Sequence, residues 1–296
     1  MKIPSKNAAA RAAIPAAPAG PAAEEPASFE VSVQVGDSER LRLHRQFVSA
    51  FLPARRDVIV ALPPDYFYSK SLECGRRYPV LYLQDGQNLF DPATSFIKGS
   101  FWDVQTTADR LIGERAIEPL IIIGVYNTGI ERMEEYTPMR DHNLGGGKAN
   151  LYGRLLVEEL KPWMDRNYRT LDGSAHTGVG GSSLGGLVSL YMGLTWPHVF
   201  GRLAVLSPSV WWARGAMLEY VRRTRPEPRP RIWLDMGLAE GPAMIKKCDE
   251  LHRLLERRGW RDGAEMRYLR VPGGRHNEDA WAKRVDPFLR FLFPAK

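Results

Sequence analysis

Val179-Gly180-Gly181-Ser182-Ser183-Leu184-Gly185-Gly186 contains the pattern Gly181-x-Ser183-x-Gly185. The residues just ahead of it, 176–180, are short and apolar-leaning, and Leu187, Leu190, Tyr191 and Leu194 follow at helical spacing. The expected local structure is a strand that turns sharply into a helix. A serine at such a turn carries its hydroxyl at the top of a sheet, with glycines clearing its flanks. The helix start behind it offers free N–H groups and a positive dipole end to a developing oxyanion. The pattern alone is a common chance match. It gains weight from its strand–turn–helix context and from partners elsewhere in the chain.

On both sides of this turn the chain alternates between two periods. Residues 41–49 and 56–62 read as paired antiparallel strands, the second stopped by Pro63-Pro64. Residues 79–83 and 120–125 are continuous apolar runs, as in strands buried on both faces. Between them, 102–114 has helical character. Residues 150–168 place Leu151, Leu155, Leu156, Leu160, Trp163 and Met164 on one helical stripe. After the Ser183 unit come a strand at 203–206, a helix after Trp212, a strand at 231–235 and a helix at 243–258. A strand at 265–271 and a last helix ending near Phe293 complete the series. This order predicts an α/β fold: a mostly parallel central sheet, antiparallel N-terminal strands, and helices on both faces. Reactive groups in such sheets gather in loops beyond the strand C-termini.

The chain has 296 residues and is 44% hydrophobic, enough for one sizeable α/β domain, assigned to 29–296. Residues 1–28 are rich in alanine and proline and read as a disordered tail. No uninterrupted apolar core follows their basic start, so they make a poor secretory signal, and the expected location is cytoplasmic. No apolar run approaches the length of a membrane span. Two cysteines, Cys74 and Cys248, and six scattered histidines form neither a disulfide framework nor a metal motif, so no metal and no cofactor is expected. The formal charge of +7 owes much to arginine. Its densest run, 222–231, is broken by prolines and reads as an exposed connector; attraction of anionic substrates is the sharper alternative. No nucleic-acid module accompanies it, and no nucleic-acid partner is expected.

A serine hydroxyl needs a base to take its proton. His276 suits that role because it lies in Pro272-Gly273-Gly274-Arg275-His276-Asn277, a glycine-rich loop between the last strand and the last helix. The base in turn needs a carboxylate to fix its tautomer. Asp235 at a strand end and Glu240 in Gly237-Leu238-Ala239-Glu240-Gly241 are the two choices. Glu240 is preferred, because a group beyond the turn reaches across towards the His276 loop. Leu184 offers one oxyanion N–H. Gln87, after Leu83-Gln84-Asp85-Gly86, offers the second.

Taken together, these segments resemble the esterase D and enterochelin-esterase branch of the α/β-hydrolases, over about residues 38–294. The likeness rests on Ala61-Leu62-Pro63-Pro64-Asp65-Tyr66, Tyr78-Pro79-Val80-Leu81-Tyr82-Leu83-Gln84-Asp85-Gly86 and Gly181-Ser182-Ser183-Leu184-Gly185-Gly186. It extends to Leu206-Ser207-Pro208-Ser209-Val210-Trp211-Trp212 and Gly273-Gly274-Arg275-His276. The resemblance implies a serine esterase acting on a small or polymer-linked ester, with nucleophile Ser183, base His276 and an acid in the Glu240 loop. Many relatives have His-Gly where this chain has Asp85-Gly86. The Asp-Gly form and the paired Trp211-Trp212 look like the siderophore-esterase side, where an aromatic wall borders the cleft and some members lack a well-placed acid. Arg132, in a stretch shared with the family, is expected either to hold an anionic group of the substrate or to pair with Glu134 or Glu135. Residues 139–148, with Gly145-Gly146-Gly147, read as a mobile rim. Acyl transfer, a carbohydrate acetyl or feruloyl esterase, and a non-catalytic binding protein on the same fold are the alternatives.

Overall fold

The runs at 79–83 and 120–125 have no polar face, and the protein buries both of their sides. The computed structural model describes residues 28–29, 31–35 and 39–295. In it, Val80 and Tyr82 enter one apolar cluster while Leu81 and Leu83 enter a second on the opposite face. Ile121 and Ile123 likewise part from Ile122. This period of two explains why such a strand shows no amphipathic alternation: each face needs its own apolar partner.

The strands are β1 (Val31–Gln34), β2 (Leu41–Phe47), β3 (Arg56–Ala61), β4 (Val80–Gln84), β5 (Ile121–Val125), β6 (Thr177–Ser182), β7 (Arg202–Leu206), β8 (Arg231–Gly237) and β9 (Met266–Val271). They form one sheet in the order β1-β2-β3-β5-β4-β6-β7-β8-β9. β1, β2, β3 and β5 are antiparallel in turn, and all pairings from β5 to β9 are parallel. The fold is α/β, as the alternation of periods implied. Helices Leu184–Thr195, Trp212–Arg223 and Pro242–Arg257 cover one face, and Val104–Gly113 and Val285–Leu292 cover the other. No helix of the described residues is long and apolar enough to cross a membrane.

Three local departures from the sequence reading have physical causes. The stripe over 150–168 is one continuous helical stretch, but its middle, Leu155–Leu160, is wound as a π-helix. The wider turn shifts the apolar face, so Leu155, Leu156, Leu160 and Met164 are buried while Leu151 is exposed. The helix after Trp212 is interrupted at Ala213, Arg214 and Gly215, all at positive φ. The edge strand β1 was not anticipated, because a short exposed strand carries little periodicity. The tail expected over 1–28 lies, apart from Ser28, outside the described residues.

β1 is tied down by a buried histidine. His44 Nδ1 meets Ser32 Oγ at 2.5 Å, its Nε2 meets Tyr168 Oη at 2.5 Å, and the rings of Phe29 and Trp163 pack on it. Burial, helped by the charge of Arg42, lowers its pKa from 6.5 to about 4. The folded state therefore binds fewer protons than the unfolded chain between those two values. The stabilisation is whole above the unfolded pKa and is lost as pH falls through 6.5 towards about 4. Urea denaturation should find His44→Leu less stable than wild type near neutral pH, with the gap shrinking as pH falls through that window. A gap that is constant with pH would show that His44 has the same pKa in the folded and unfolded states.

Candidate active site

Ser183 follows β6 directly and precedes the helix Leu184–Thr195. Its backbone sits at φ 57°, ψ −122°, a region that side chains other than glycine rarely adopt, so the turn is strained. The turn is held because Ser183 N donates to the Leu206 carbonyl at 3.0 Å and Ser209 N donates to the Ser183 carbonyl at 3.1 Å. The glycines are required by contact. A Cβ on Gly181 would lie 2.9 Å from Gln84 Cβ, and one on Gly186 would lie 2.9 Å from the Leu206 carbonyl oxygen.

His276 Nε2 lies 2.9 Å from Ser183 Oγ, and His276 Nδ1 lies 2.6 Å from Glu240 Oε2. The three side chains come from the loops after β6, β8 and β9, which only the parallel sheet brings to one edge. The Glu240 side chain is fully buried. Burial pushes its carboxyl pKa up, but the hydrogen bonds with His276 and Ser207 and the charges of His276 and Arg284 outweigh this and hold it below the ordinary value. Asp235 does not reach the histidine. It accepts from Trp233 Nε1 at 2.8 Å and from Arg284 Nη1 at 2.7 Å, and burial raises its pKa.

Arg284 escaped the sequence reading. Its buried guanidinium also donates to Ser207 Oγ at 2.6 Å and to Glu240 Oε1 at 3.3 Å. Ser207 Oγ in turn donates to Glu240 Oε1 at 2.6 Å. Ser209 was also missed as a site residue: its hydroxyl lies 3.2 Å from Ser183 Oγ. Neither has a local motif of its own. An arginine inside an amphipathic C-terminal segment reads as a surface charge until the tertiary contacts are known.

The loop after β4 bends at Asp85, in the left-handed region at φ 57°. Gly86 is needed where the turn meets β5, since a Cβ there would lie 2.5 Å from Gly124 C. Gln87 and Leu184 each fall in the first turn of a helical segment, so their N–H groups have no acceptor within that segment. Arg132 grips the Asp85 carboxylate with two hydrogen bonds of 2.7 and 2.8 Å, and Asn127 Nδ2 adds a third of 2.7 Å. Asn127 N also donates to Gln87 Oε1 at 3.3 Å. The expected partners of Arg132 are thus corrected: Glu135 is taken by buried Arg56, Glu134 accepts from Gly146 N, and Arg132 secures the loop that carries Gln87.

Gln87, Arg132, Ser183 and His276 line one cavity of about 420 Å³, with Phe96, Ile97 and Trp281 among its walls. Neither Trp211 nor Trp212 is on that wall. Trp212 is buried and donates its Nε1 to the Met139 carbonyl at 2.7 Å, and a Cβ on Gly146 would lie 2.8 Å from its ring. The glycine-rich rim is therefore packed against Trp212 rather than free of the body. Trp211 points to solvent. Among the described residues no group of histidine, cysteine, aspartate and glutamate is arranged to hold a metal ion.

A family profile described as "Putative esterase" matches residues 49–292. The chain belongs to this family. Among its relatives, the Bacillus subtilis (strain 168) protein YbbA is 26% identical over 245 residues, spanning 78% of this chain and 90% of that one. The ferri-bacillibactin esterase BesA of the same organism is 27% identical over 204 residues, spanning 61% of this chain and 66% of that one. The crystal structure of BES protein from Bacillus cereus superposes with a TM-score of 0.67 at 22% identity, covering 89% of this chain and 98% of that one. The mostly parallel sheet is the α/β-hydrolase fold of these proteins. In this esterase, Asp235→Ala would leave the buried Arg284 charge short of a partner. It should cost about 3–5 kcal/mol, read as a drop in urea midpoint; a loss under about 1 kcal/mol would mean that solvent already screens the pair.

Proposed function

We propose that Ser183 is the nucleophile with which this esterase cleaves carboxylic esters. The observation that carries the reading is the unbroken hydrogen-bonded run from Ser183 Oγ through His276 to Glu240. Ser183 Oγ attacks the ester carbonyl carbon while His276 Nε2 takes its proton. The Leu184 and Gln87 amides stabilise the oxyanion. Collapse expels the alcohol, which receives the proton from His276 and leaves Ser183 acylated. Water then gives a proton to His276 and attacks the acyl carbonyl; the second collapse releases the acid and restores the Ser183 hydroxyl. Glu240 holds Nδ1 protonated and faces the imidazolium that forms twice per cycle. The low pKa of Glu240 keeps it anionic throughout.

The substrate is read as a bulky ester of the siderophore type. The cavity is open and roomy, and a relative is named for ferri-bacillibactin esterase activity. The substrate wall is assigned to Arg132's neighbourhood, Phe96 and Ile97; Trp212 is assigned a structural part. Ser183→Ala should lower kcat by several orders of magnitude and abolish labelling by a fluorophosphonate. Glu240→Gln, which keeps the side-chain shape, should lower kcat by roughly a thousandfold or more. A panel of short-chain, feruloyl and catecholate-serine esters tests both variants. Most of the wild-type rate surviving in Ser183→Ala would sink the assignment.

A further inference from the structure

At the end of the sheet opposite Ser183, where the parallel strands begin, the protein collects arginine. Three cavities of about 530, 320 and 90 Å³ lie in a row there. Glu118 and Ala295 are walls of both the first and the second, and Arg229 is a wall of both the second and the third, so they run together as one groove. Arg76, Arg77 and Arg115 line its first part and Arg202, Arg229 and Arg231 its middle. Arg225 and Arg258 line the far end. Against these, the carboxylates on the walls are Glu118 and Glu227.

Most of this positive charge is unanswered. Asp65 meets Arg76 at 2.6 Å and Glu118 meets Arg202 at 2.7 Å. Among the described residues, no carboxylate lies within ion-pair distance of Arg77, Arg115, Arg225, Arg229, Arg231 or Arg258. Other carboxylates at this end are engaged elsewhere: Glu114 with Arg110 and Arg290, Glu265 with Arg261, and Asp262 with the Gly263 and Tyr268 amides. Arg202 and Arg231 open β7 and β8 and are partners in the strand register. Like charges so placed repel. Arg231 Nε is also buried without a hydrogen-bond partner. Burial and the charge of Arg202 together lower the Arg231 pKa.

The guanidinium groups are held in place by neutral partners, which fix their positions without cancelling their charge. Arg231 lies 4.2 Å over the Phe291 ring, Arg202 4.6 Å over Phe293 and Arg229 5.1 Å over Trp260. Arg77, Arg229 and Arg258 donate to the Thr170, Gly259 and Thr224 carbonyls at 3.0, 2.7 and 2.6 Å. A fixed fork of N–H donors with free charge matches the oxygens of a phosphate. The arginines are spread along the groove rather than gathered at one point, so linked phosphate groups meet more of them than a single one does. None of the exposed large apolar side chains lines the groove, which does not suit a lipid surface. The rings in it lie under guanidinium groups, which leaves nucleic-acid bases no free platform for stacking.

We propose that this groove binds an oligophosphate, with Arg202, Arg229 and Arg231 holding it at the middle and Arg77 and Arg115 extending the hold along the chain of phosphates. The site stands apart from the Ser183 cavity, at the other end of the same strands, and nothing in it depends on the esterase reading.

Titration calorimetry of the full chain with inorganic tripolyphosphate and with inorganic monophosphate, at matched ionic strength, tests the site without any turnover. Tripolyphosphate should bind at least about tenfold more tightly, because its linked groups engage the arginines together. Arg231→Gln should weaken that binding about tenfold and exposed Arg229→Gln about fivefold. Arg253→Gln, on the outer face of the helix Pro242–Arg257 and with the same change in net charge, should alter it by less than about twofold. Ser183→Ala should bind as wild type does, whether or not it cleaves esters. Diphosphate and a nucleoside diphosphate, compared under the same conditions, separate a free oligophosphate from one carried on an alcohol; sensitivity of either to Arg231→Gln supports the site. No binding of tripolyphosphate at millimolar concentration, or equal weakening by all three arginine variants, overturns the inference. So does tighter binding of a single-stranded oligonucleotide than of tripolyphosphate with the same dependence on Arg231, since a nucleic acid would then be the occupant.

Discussion

The buried Arg284 guanidinium organises the edge of the sheet where Ser183, His276 and Glu240 meet. A charge taken out of water is tolerated only where several acceptors surround it, and here they come from separate parts of the chain. Asp235 lies within β8, Ser207 follows β7, and Glu240 lies beyond the end of β8. A longer contact of 3.4 Å reaches the Arg275 carbonyl, beside His276. One side chain from the start of the last helix therefore sets the spacing between the Glu240 loop and the His276 loop. Glu240 keeps one oxygen for this network and turns the other to His276. The second carboxylate, Asp235, which competes with Glu240 on sequence grounds, is a structural counter-ion.

A second constraint acts at Ser183. Its strained backbone would relax if the surrounding strands allowed it, but bonds to Leu206 at the end of β7 and to Ser209 just beyond it pin the turn on both sides. The glycines around it are spaces required by neighbouring backbone and side chains rather than sources of looseness. The Asp85 turn follows the same logic: an uncommon backbone conformation is secured by the Arg132 and Asn127 bonds. Both reactive turns are thus rigid before any ester arrives, which suits electrostatic stabilisation of an oxyanion.

Much of this was legible in the residues. The continuous apolar runs, the Gly-x-Ser-x-Gly turn and the glycine-rich loop before the last helix each signal their local structure. Its place in that loop and its position late in the chain favour His276 as the base, and reach beyond the turn favours Glu240 over Asp235. The reading failed where a residue's partner lies far away in sequence. For Arg132 the sequence offers a substrate anion or the nearby Glu134 and Glu135, yet its acceptor is Asp85, 47 residues earlier. Trp211 and Trp212 are adjacent and chemically identical, and only packing against Met139 and Gly146 separates the buried indole from the exposed one.

The amino-acid sequence by itself determined the α/β alternation, the strand–turn–helix unit around Ser183 and the loops in which its partners lie. Those features depend on local periodicity and backbone preference, which a linear chain expresses directly. The tertiary structure decided which carboxylate faces the histidine, what Arg132 and Arg284 hold, and which apolar side chains stay in water. These outcomes depend on the register of parallel strands joined by long crossovers. Burial and charge pairing across that register are properties of the assembled sheet and of no single segment.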